Sequence, residues 1–170
     1  MFFNSLKPER IQQRKRVHEI CRQFSRSPSK GNLKRLKSLF NQVGEGVFIE
    51  YGFHCDYGNK ISIGDNVYIN INCTFLDGGY ISIGNDCLIA PNVQLLTINH
   101  ALPPIQRLKK ESFIGDIEIA DNVWLGAGVI VLANIKIDSG AVVGAGSVVT
   151  QDIASNGLYL GNPAKKIRDL

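Results

Sequence analysis

A branched aliphatic residue recurs at every sixth position over most of this chain. The period is clearest in six successive units, at Ile119, Leu125, Val131, Ile137, Val143 and Val149. A helix places apolar residues three to four positions apart and a strand places them two apart, so neither explains a strict interval of six. A fixed short period is typical of stacked coils, and hexapeptide units are typical of a parallel β-helix. We therefore predict an all-β repeat fold.

The repeat also predicts the extent of the domain. It covers residues 47–155, with Gly, Asn and Asp between the units, as at residues 64–66. Three hexapeptides per coil give a rung of 18 residues, the spacing at which two Gly-Ala-Gly motifs recur. The period is broken by a two-residue excess at residues 77–79 and by a long polar loop at residues 97–118. Because a loop of that length in a compact repeat is usually functional, we expect the chemistry there.

Both ends of the chain depart from the six-residue period. Residues 1–46 predict a helical arm with amphipathic helices at 9–25 and 33–43, which we expect to cover one open end of the β-helix. The arm holds 11 Lys and Arg against 3 Asp and Glu. Such charge fits either an acidic polymer or a solvated helix face, but no base-reading motif accompanies it, so we predict no nucleic-acid partner. Residues 156–170 are predicted to form a basic, non-periodic tail.

Composition excludes several other classes of protein. A length of 170 residues predicts one domain, and no apolar stretch reaches the length of a transmembrane helix, so we predict no membrane association. The N-terminus lacks the apolar segment of a secretory signal. Cys21, Cys55, Cys73 and Cys87 are dispersed without a C-x-x-C pair, a pattern typical of reduced thiols packed as small apolar residues. We therefore predict a cytoplasmic location.

The three histidines have different predicted roles. His18 is expected on the surface of the arm, and His54 is expected to be a partly buried structural residue of the first coil. His100 opens the long loop, directly after Asn99, at a break in the repeat. Histidine suits a general base near neutral pH, so His100 is the predicted catalytic base. A zinc hydratase would need more histidine ligands than His100 has near it in the repeat, so we predict no metal site.

Two glycine motifs form a second candidate site. Residues 126–128 and 144–146 both read Gly-Ala-Gly and lie 18 residues apart, without the βαβ context of a dinucleotide site. If one coil contains three hexapeptides, the two motifs stack and form a strip almost without side chains. A thin ligand such as a pantetheine arm fits along such a strip. Alternatively, the small residues only allow tight turns.

The order of these motifs resembles the hexapeptide-repeat acyltransferases, in particular the maltose and galactoside O-acetyltransferases. The matching motifs lie at residues 64–72, 83–93, 122–126, 143–150 and 161–164. The resemblance implies a left-handed parallel β-helix with a short N-terminal helical arm, assembled as a homotrimer with active sites between neighbouring subunits. It also implies acetyl-CoA as the co-substrate, bound along the groove between subunits, and no required metal.

The resemblance further implies residue roles. His100 would deprotonate an acceptor hydroxyl that attacks the thioester directly, and Asn70 would contact the reacting groups. The backbone N–H of Ala127 is the candidate donor to the oxyanion. The implied CoA-binding residues are Trp124, Gly126, Ala127, Gly144, Ala145, Thr150, Gln151, Lys165 and Arg168. Two of these depart from the family pattern, since Gln151 replaces a usual lysine and Lys165 a usual arginine.

The acceptor side departs further from the pattern. The resemblance implies Glu19, Asp56 and Asp77 as acceptor-binding residues, but Glu19 replaces an aspartate, Asp56 a serine, and the partner of Asp77 is Gly78. The predicted activity is therefore transfer of acetyl from acetyl-CoA to a hydroxyl of a sugar or sugar-like acceptor. The alternatives are N-acetylation of an amino sugar or antibiotic, and a non-catalytic trimeric scaffold.

Overall fold

The apolar residues of the six-residue repeat line the interior of a three-sided prism. In residues 2–110 and 112–170, which the computed structural model describes, three parallel sheets form the faces of this prism. Met1 of the predicted arm and Glu111 of the predicted loop lie outside the described residues. The aliphatic residues of the repeat point inward from the strands, and Ile89, Leu125 and Val143 are fully buried. The predicted parallel β-helix is confirmed.

Each coil contributes one strand to each face in turn. Face 1 contains β2 (Gln42–Val43), β5 (Ile61–Ile63), β8 (Ile81–Ile83), β13 (Ile117–Ile119) and β16 (Ile135–Ile137). Face 2 contains β3 (Phe48–Ile49), β6 (Tyr68–Ile69), β9 (Leu88–Ile89), β14 (Trp124–Leu125), β17 (Val142–Val143) and β19 (Gly157–Leu160). Face 3 contains β4 (His54–Cys55), β7 (Thr74–Leu76), β10 (Gln94–Leu96), β15 (Ile130–Val131) and β18 (Val148–Val149). The remaining elements are β1 (Phe2–Phe3), α1 (Pro8–Arg26), α2 (Lys30–Lys37), β11 (Ile98–His100), α3 (Pro104–Leu108), β12 (Ser112–Ile114) and β20 (Lys165–Asp169).

The length of a rung changes along the prism. Trp124 pairs with Val142, which is the predicted 18-residue interval. In the coils nearer the N-terminus the interval is 20 residues, as in the pairing of Tyr68 with Leu88. The two extra residues lie at the corner between faces 3 and 1, where the excess at 77–79 was predicted. An equivalent excess follows Cys55 and was not predicted.

Asparagine and aspartate make the tight corners between faces. Asn66, Asp86 and Asn122 have φ values of 56°, 57° and 55°, in the left-handed region that these residues tolerate better than other side chains do. Carboxylate and amide oxygens also bond from coil to coil, since Asp121 Oδ1 accepts from Asn85 N at 2.7 Å. The turn residues that separate the repeats in the sequence therefore also hold adjacent coils together.

The helical arm packs on the first coil. The predicted first helix is confirmed as α1, and its Val17, Cys21 and Phe24 join the apolar core of the prism. The second helix is shorter than predicted, because α2 ends at Lys37 and Val43 pairs with Ile63 in face 1. Apolar residues at this spacing suit either a helix or the first coil, and pairing with the next coil selects the strand.

The C-terminal residues are more regular than the predicted non-periodic tail. β19 extends face 2 beside β17, and β20 folds back on β19 as an antiparallel strand. The predicted loop at residues 97–118 contains regular elements. β11 and β12 form an antiparallel hairpin, to which β1 adds a third strand, and Ile117–Ile119 already belong to face 1.

Among the described residues, no helix combines the length and apolarity that a membrane crossing needs.

Candidate active site

The long interruption of the repeat presents His100 to solvent at the end of β11. Ser112 lies directly opposite in β12, and its Oγ atom is 3.3 Å from His100 Nδ1. Asn99 Oδ1 accepts a hydrogen bond of 2.8 Å from the backbone N–H of His100. Ser112 is buried while His100 is exposed. The buried Ser112 hydroxyl is therefore a fixed partner for His100 Nδ1. This contact leaves Nε2 available for chemistry.

A cavity of about 430 Å³ opens beside His100. It lies between the β11–β12 hairpin and the corner that follows face 3, and Thr150 contributes to its wall. Gln151 is exposed at the next position. Two residues of the predicted CoA set, Thr150 and Gln151, therefore lie at the same corner as His100. A larger depression of about 560 Å³ lies on face 1 and contains none of the predicted site residues.

The two glycine motifs stack as their spacing predicts, at the corner between faces 2 and 3. A Cβ atom on Gly126 would lie 2.6 Å from Ala145 N, so this position requires glycine for the coils to stack. Gly128 and Gly146 have φ values of +68° and +71°, and apart from their chain neighbours no described atom lies within 4 Å of where their Cβ atoms would be. Tight stacking and turn geometry therefore explain these glycines, as the alternative interpretation of the motif stated.

The same corner nevertheless presents an open strip of backbone. Ala127 and Ala145 are exposed, and neither of their N–H groups donates to another group of the described chain. An unpaired backbone donor on a surface without large side chains can bind a ligand oxygen. The Gly-Ala-Gly motif thus does two things: its glycines allow the coils to stack tightly, and its alanines leave backbone N–H groups available on an open strip.

Asn70 lies at the glycine corner and not at the histidine corner. Its backbone N–H donates to Ile89 O, and the equivalent donors one, two and three coils further on are Ala90, Gly126 and Gly144. The side-chain Oδ1 of Asn70 accepts from Ile71 N at 2.8 Å, which leaves its amide N–H groups free to donate outward. Within the chain, face 3 of the prism separates the corner that holds Asn70 from the corner that holds Thr150 and His100.

The remaining predicted CoA-binding residues flank the glycine corner on face 2. Trp124 is 51% exposed on β14. Lys165 pairs with Leu160 across the β19–β20 hairpin, and Arg168 pairs with Leu158. Both basic side chains are exposed. The C-terminal hairpin therefore places two cations along the face that leads to the strip.

The three predicted acceptor residues have separate environments. Glu19 is exposed on α1, and its hydrogen bonds with Arg22 lower the pKa of its carboxyl group. Asp56 Oδ1 lies 3.0 Å from His18 Nε2. Asp77 is fully buried, and its two oxygens accept from the backbone N–H groups of residues 56–58 at 2.6–2.9 Å. Burial raises the pKa of Asp77 while these N–H groups lower it, so Asp77 supports the segment that carries Asp56.

The structure also reveals a cluster that the sequence analysis missed. His18, expected on the surface of the arm, packs on His54 with ring centroids 4.4 Å apart, and both lie beside Asp56. Ligand atoms of the three residues all lie within 4.8 Å of one another. No local motif signals this cluster, because packing of α1 on the first coil brings His18 to residues that lie far along the chain.

Comparison with known proteins places this architecture in a family. The family model described as "Bacterial transferase hexapeptide (six repeats)" matches residues 116–151. The galactoside O-acetyltransferase of Lactococcus lactis subsp. lactis is 37% identical over 155 residues, which cover 89% of this chain and 75% of that protein. The maltose O-acetyltransferase of Clostridium difficile 630 superposes with a TM-score of 0.95 at 33% identity, over 99% of this chain and 92% of that one.

A second solved structure adds a bound ligand to the comparison. The hexapeptide-repeat acetyltransferase of Vibrio cholerae O1 biovar eltor, solved in complex with acetyl-coenzyme A, superposes with a TM-score of 0.93 at 33% identity. The alignment covers 99% of this chain and 92% of that chain. The chain therefore belongs to the hexapeptide-repeat acetyltransferase family, as the sequence motifs indicated. The predicted left-handed β-helix is confirmed with it.

Proposed function

We propose that the protein transfers the acetyl group of acetyl-CoA to a hydroxyl of a sugar or sugar-like acceptor, with His100 as the general base. The observation that carries the proposal is the exposed His100 imidazole, held by Ser112 at the one long interruption of the repeat. Membership of an acetyltransferase family supports the reaction class. The galactoside and maltose O-acetyltransferases among its relatives support oxygen as the acceptor atom.

The proposed mechanism follows from the contact between His100 and Ser112. When His100 Nδ1–H donates to Ser112 Oγ, the lone pair of the neutral ring is on Nε2. Nε2 then accepts the proton of the acceptor hydroxyl as its oxygen bonds to the acetyl carbonyl carbon. The C–S bond of the thioester breaks, and the CoA thiolate takes the proton from Nε2. No acyl-enzyme forms, and the reaction as proposed requires no metal.

Backbone and basic groups complete the proposed site. The unpaired N–H of Ala127 is the donor proposed for the tetrahedral oxyanion, where such a preorganised donor contributes most in the transition state. The pantetheine arm lies along the strip at Gly126, Gly144 and Ala145, with Trp124, Thr150 and Gln151 at its sides. Lys165 and Arg168 suit the CoA phosphates, because charge-assisted hydrogen bonds favour cations there. The amide of Asn70 is the proposed contact to the reacting groups.

A homotrimer is proposed because one protomer holds the two halves of this site at different corners. His100 and Thr150 lie after face 3, whereas Asn70 and Ala127 lie after face 2. A closed threefold ring sets one corner of each prism against the other corner of its neighbour, so that three complete sites form. The proposed site therefore lies between copies.

Mixing two inactive variants tests this arrangement. His100→Ala removes the base, and Ala127→Trp blocks the strip, so each homotrimer should be inactive. In a randomly assembled mixture, a site is intact when its His100 comes from an Ala127→Trp chain and its Ala127 comes from a His100→Ala chain. Random co-assembly should therefore restore about a quarter of the wild-type activity. Variants mixed without subunit exchange are the control. Complementation that fails although mixed trimers form would place both halves in one protomer.

A panel of acceptors tests the reaction class. Release of the CoA thiol is measured with acetyl-CoA and a series of sugars, and then with their amino-sugar analogues. Turnover with hydroxyl acceptors that lack an amine supports O-acetylation. Turnover with amines alone would replace the proposal by N-acetylation, and stable acetyl-CoA binding without turnover would indicate the scaffold.

We propose the cytoplasm as the location, in keeping with the free and buried state of the cysteines.

A further inference from the structure

A second group of chemistry-bearing side chains lies where α1 packs on the first coil. His18 comes from α1, while His54 and Asp56 come from β4 and the corner after it. None of the three lines the cavity beside His100. The group is therefore separate from the cavity to which we assign the catalytic base.

The donor atoms of this group converge. His18 Nε2 lies 3.0 Å from Asp56 Oδ1, and one ligand atom from each of the three residues lies within 4.8 Å of the others. Two ligands of one tetrahedral zinc ion, each about 2.1 Å from the metal, lie roughly 3.4 Å apart. The contact between His18 and Asp56 is already near that spacing, and a ligand atom of His54 lies within 4.8 Å of both.

His54 is the member of the group that hydrogen bonding leaves unexplained. Neither of its ring nitrogens has a hydrogen-bond partner in the described parts of the chain, although the ring is half-buried. A ring nitrogen that no protein group occupies, next to a carboxylate and a second imidazole, is available to bind a metal ion.

We propose that His18, His54 and Asp56 bind one divalent transition-metal ion, with zinc as the expected ion. Two imidazole nitrogens and one carboxylate oxygen are donors that zinc prefers, and three protein ligands leave a fourth position for water. Magnesium and calcium prefer sets made of oxygen, which this group does not offer. The ion would join the arm to the prism. The proposed acetyl transfer does not use the ion, although the resemblance also implies Asp56 as an acceptor-binding residue. The tests below therefore measure metal binding itself, so that failure of this proposal and failure of the proposed acetyl transfer can be told apart.

Metal titration of the full-length protein tests the site. The protein is stripped with a chelator, and Zn²⁺ is added in competition with a chromophoric chelator. Co²⁺ is then used as a spectroscopic probe of tetrahedral coordination. The expected result is one Zn²⁺ per chain, a tetrahedral Co²⁺ absorption spectrum, and a thermal unfolding midpoint that rises with added Zn²⁺.

Matched histidine variants locate the ion. Loss of an outer-shell partner of a metal ligand weakens metal binding by about 10- to 100-fold. His18→Ala and His54→Phe each remove a direct ligand, so each should weaken Zn²⁺ binding by more than that. His100→Ala should bind Zn²⁺ like the wild type. Loss of binding in His100→Ala alone would assign the ion to the catalytic loop and overturn the proposal, as would unchanged binding in both other variants or no binding at all.

A milder substitution guards against misfolding. If His54→Phe fails to fold, Asp56→Asn keeps the size of the side chain and removes one anionic ligand, and it should lose the tetrahedral Co²⁺ spectrum. Thermal unfolding without metal serves as the folding control for each variant. A variant that folds like the wild type and yet keeps both the Co²⁺ spectrum and the Zn²⁺-induced shift contradicts the assignment of that residue.

Discussion

The interior of the prism and the hairpin that carries His100 use apolar residues in opposite ways. Ile81 and Leu125 are fully buried in the prism, whereas Leu102 and Leu108, between β11 and β12, are 82% and 81% exposed. The repeat buries its aliphatic residues and leaves smooth faces, while the interruption exposes both apolar and polar groups. Stability and chemistry should therefore respond to substitutions in different parts of this chain.

The largest expected effect breaks the chemistry without affecting the fold. His100→Ala should lower kcat/KM by about 10²- to 10⁴-fold, the usual contribution of a general base. Its free energy of unfolding should stay near that of the wild type, because the ring is exposed and packs on little. Thiol-release kinetics and thermal unfolding measure the two quantities. Retained turnover would remove His100 from its proposed role.

The converse substitution breaks the prism. Ile81→Ala should lower the free energy of unfolding by about 2–5 kcal/mol, because it leaves a cavity between Ile61 and Ile117 of the neighbouring coils. The matched control is Ile105→Ala in α3, which changes the same side chain at a position 74% exposed. The control should stay within about 0.5 kcal/mol of the wild type. Denaturant unfolding at one protein concentration compares them, and equal losses would refute the contrast.

A buried polar group should have an intermediate effect. Asp77→Ala removes the acceptor of three backbone N–H groups inside the prism. Leaving such donors without a partner costs about 1–3 kcal/mol, so a loss of that order is expected in denaturant unfolding. Asp65→Ala is the control, since its carboxylate accepts one exposed backbone bond, from Glu45 N. A similar loss in both variants would show that burial of Asp77 is unimportant.

The architecture of the prism was predictable from the sequence because its rule is local. The six-residue period determines which residues face inward, and Asn or Asp at a corner tolerates the backbone angle that the corner needs. The same locality explains why α1 and the glycine stacking were predicted. Each follows from spacing within one or two coils, without knowledge of the rest of the fold.

The features that the sequence did not predict depend on contacts between segments that lie far apart in the chain. Val43 suits both a helix and a strand, and only pairing with Ile63 selects the strand. The C-terminal hairpin forms because β19 finds an open edge of face 2. His18 meets His54 and Asp56 because the arm docks on the first coil. The partner of His100 was likewise missed, because the register of the β11–β12 hairpin decides that Ser112 lies opposite.

That register gives the smallest prediction and the finest test of the comparison between prism and hairpin. If Ser112 fixes the tautomer of His100, Ser112→Ala should lower kcat and leave KM for acetyl-CoA unchanged. Loss of one such hydrogen bond is worth about 0.5–1.5 kcal/mol, or roughly 2- to 12-fold in rate. Steady-state kinetics separate the two constants.

Rescue by a conservative variant distinguishes positioning from packing at Ser112. Ser112→Thr keeps the hydroxyl and adds a methyl group to a buried position, so it should restore kcat even where packing costs some stability. If packing were the only role, alanine would be tolerated better than threonine in the kinetics. Equal kcat in Ser112→Ala and the wild type would mean that the β11–β12 hairpin only carries His100 and does not orient its ring.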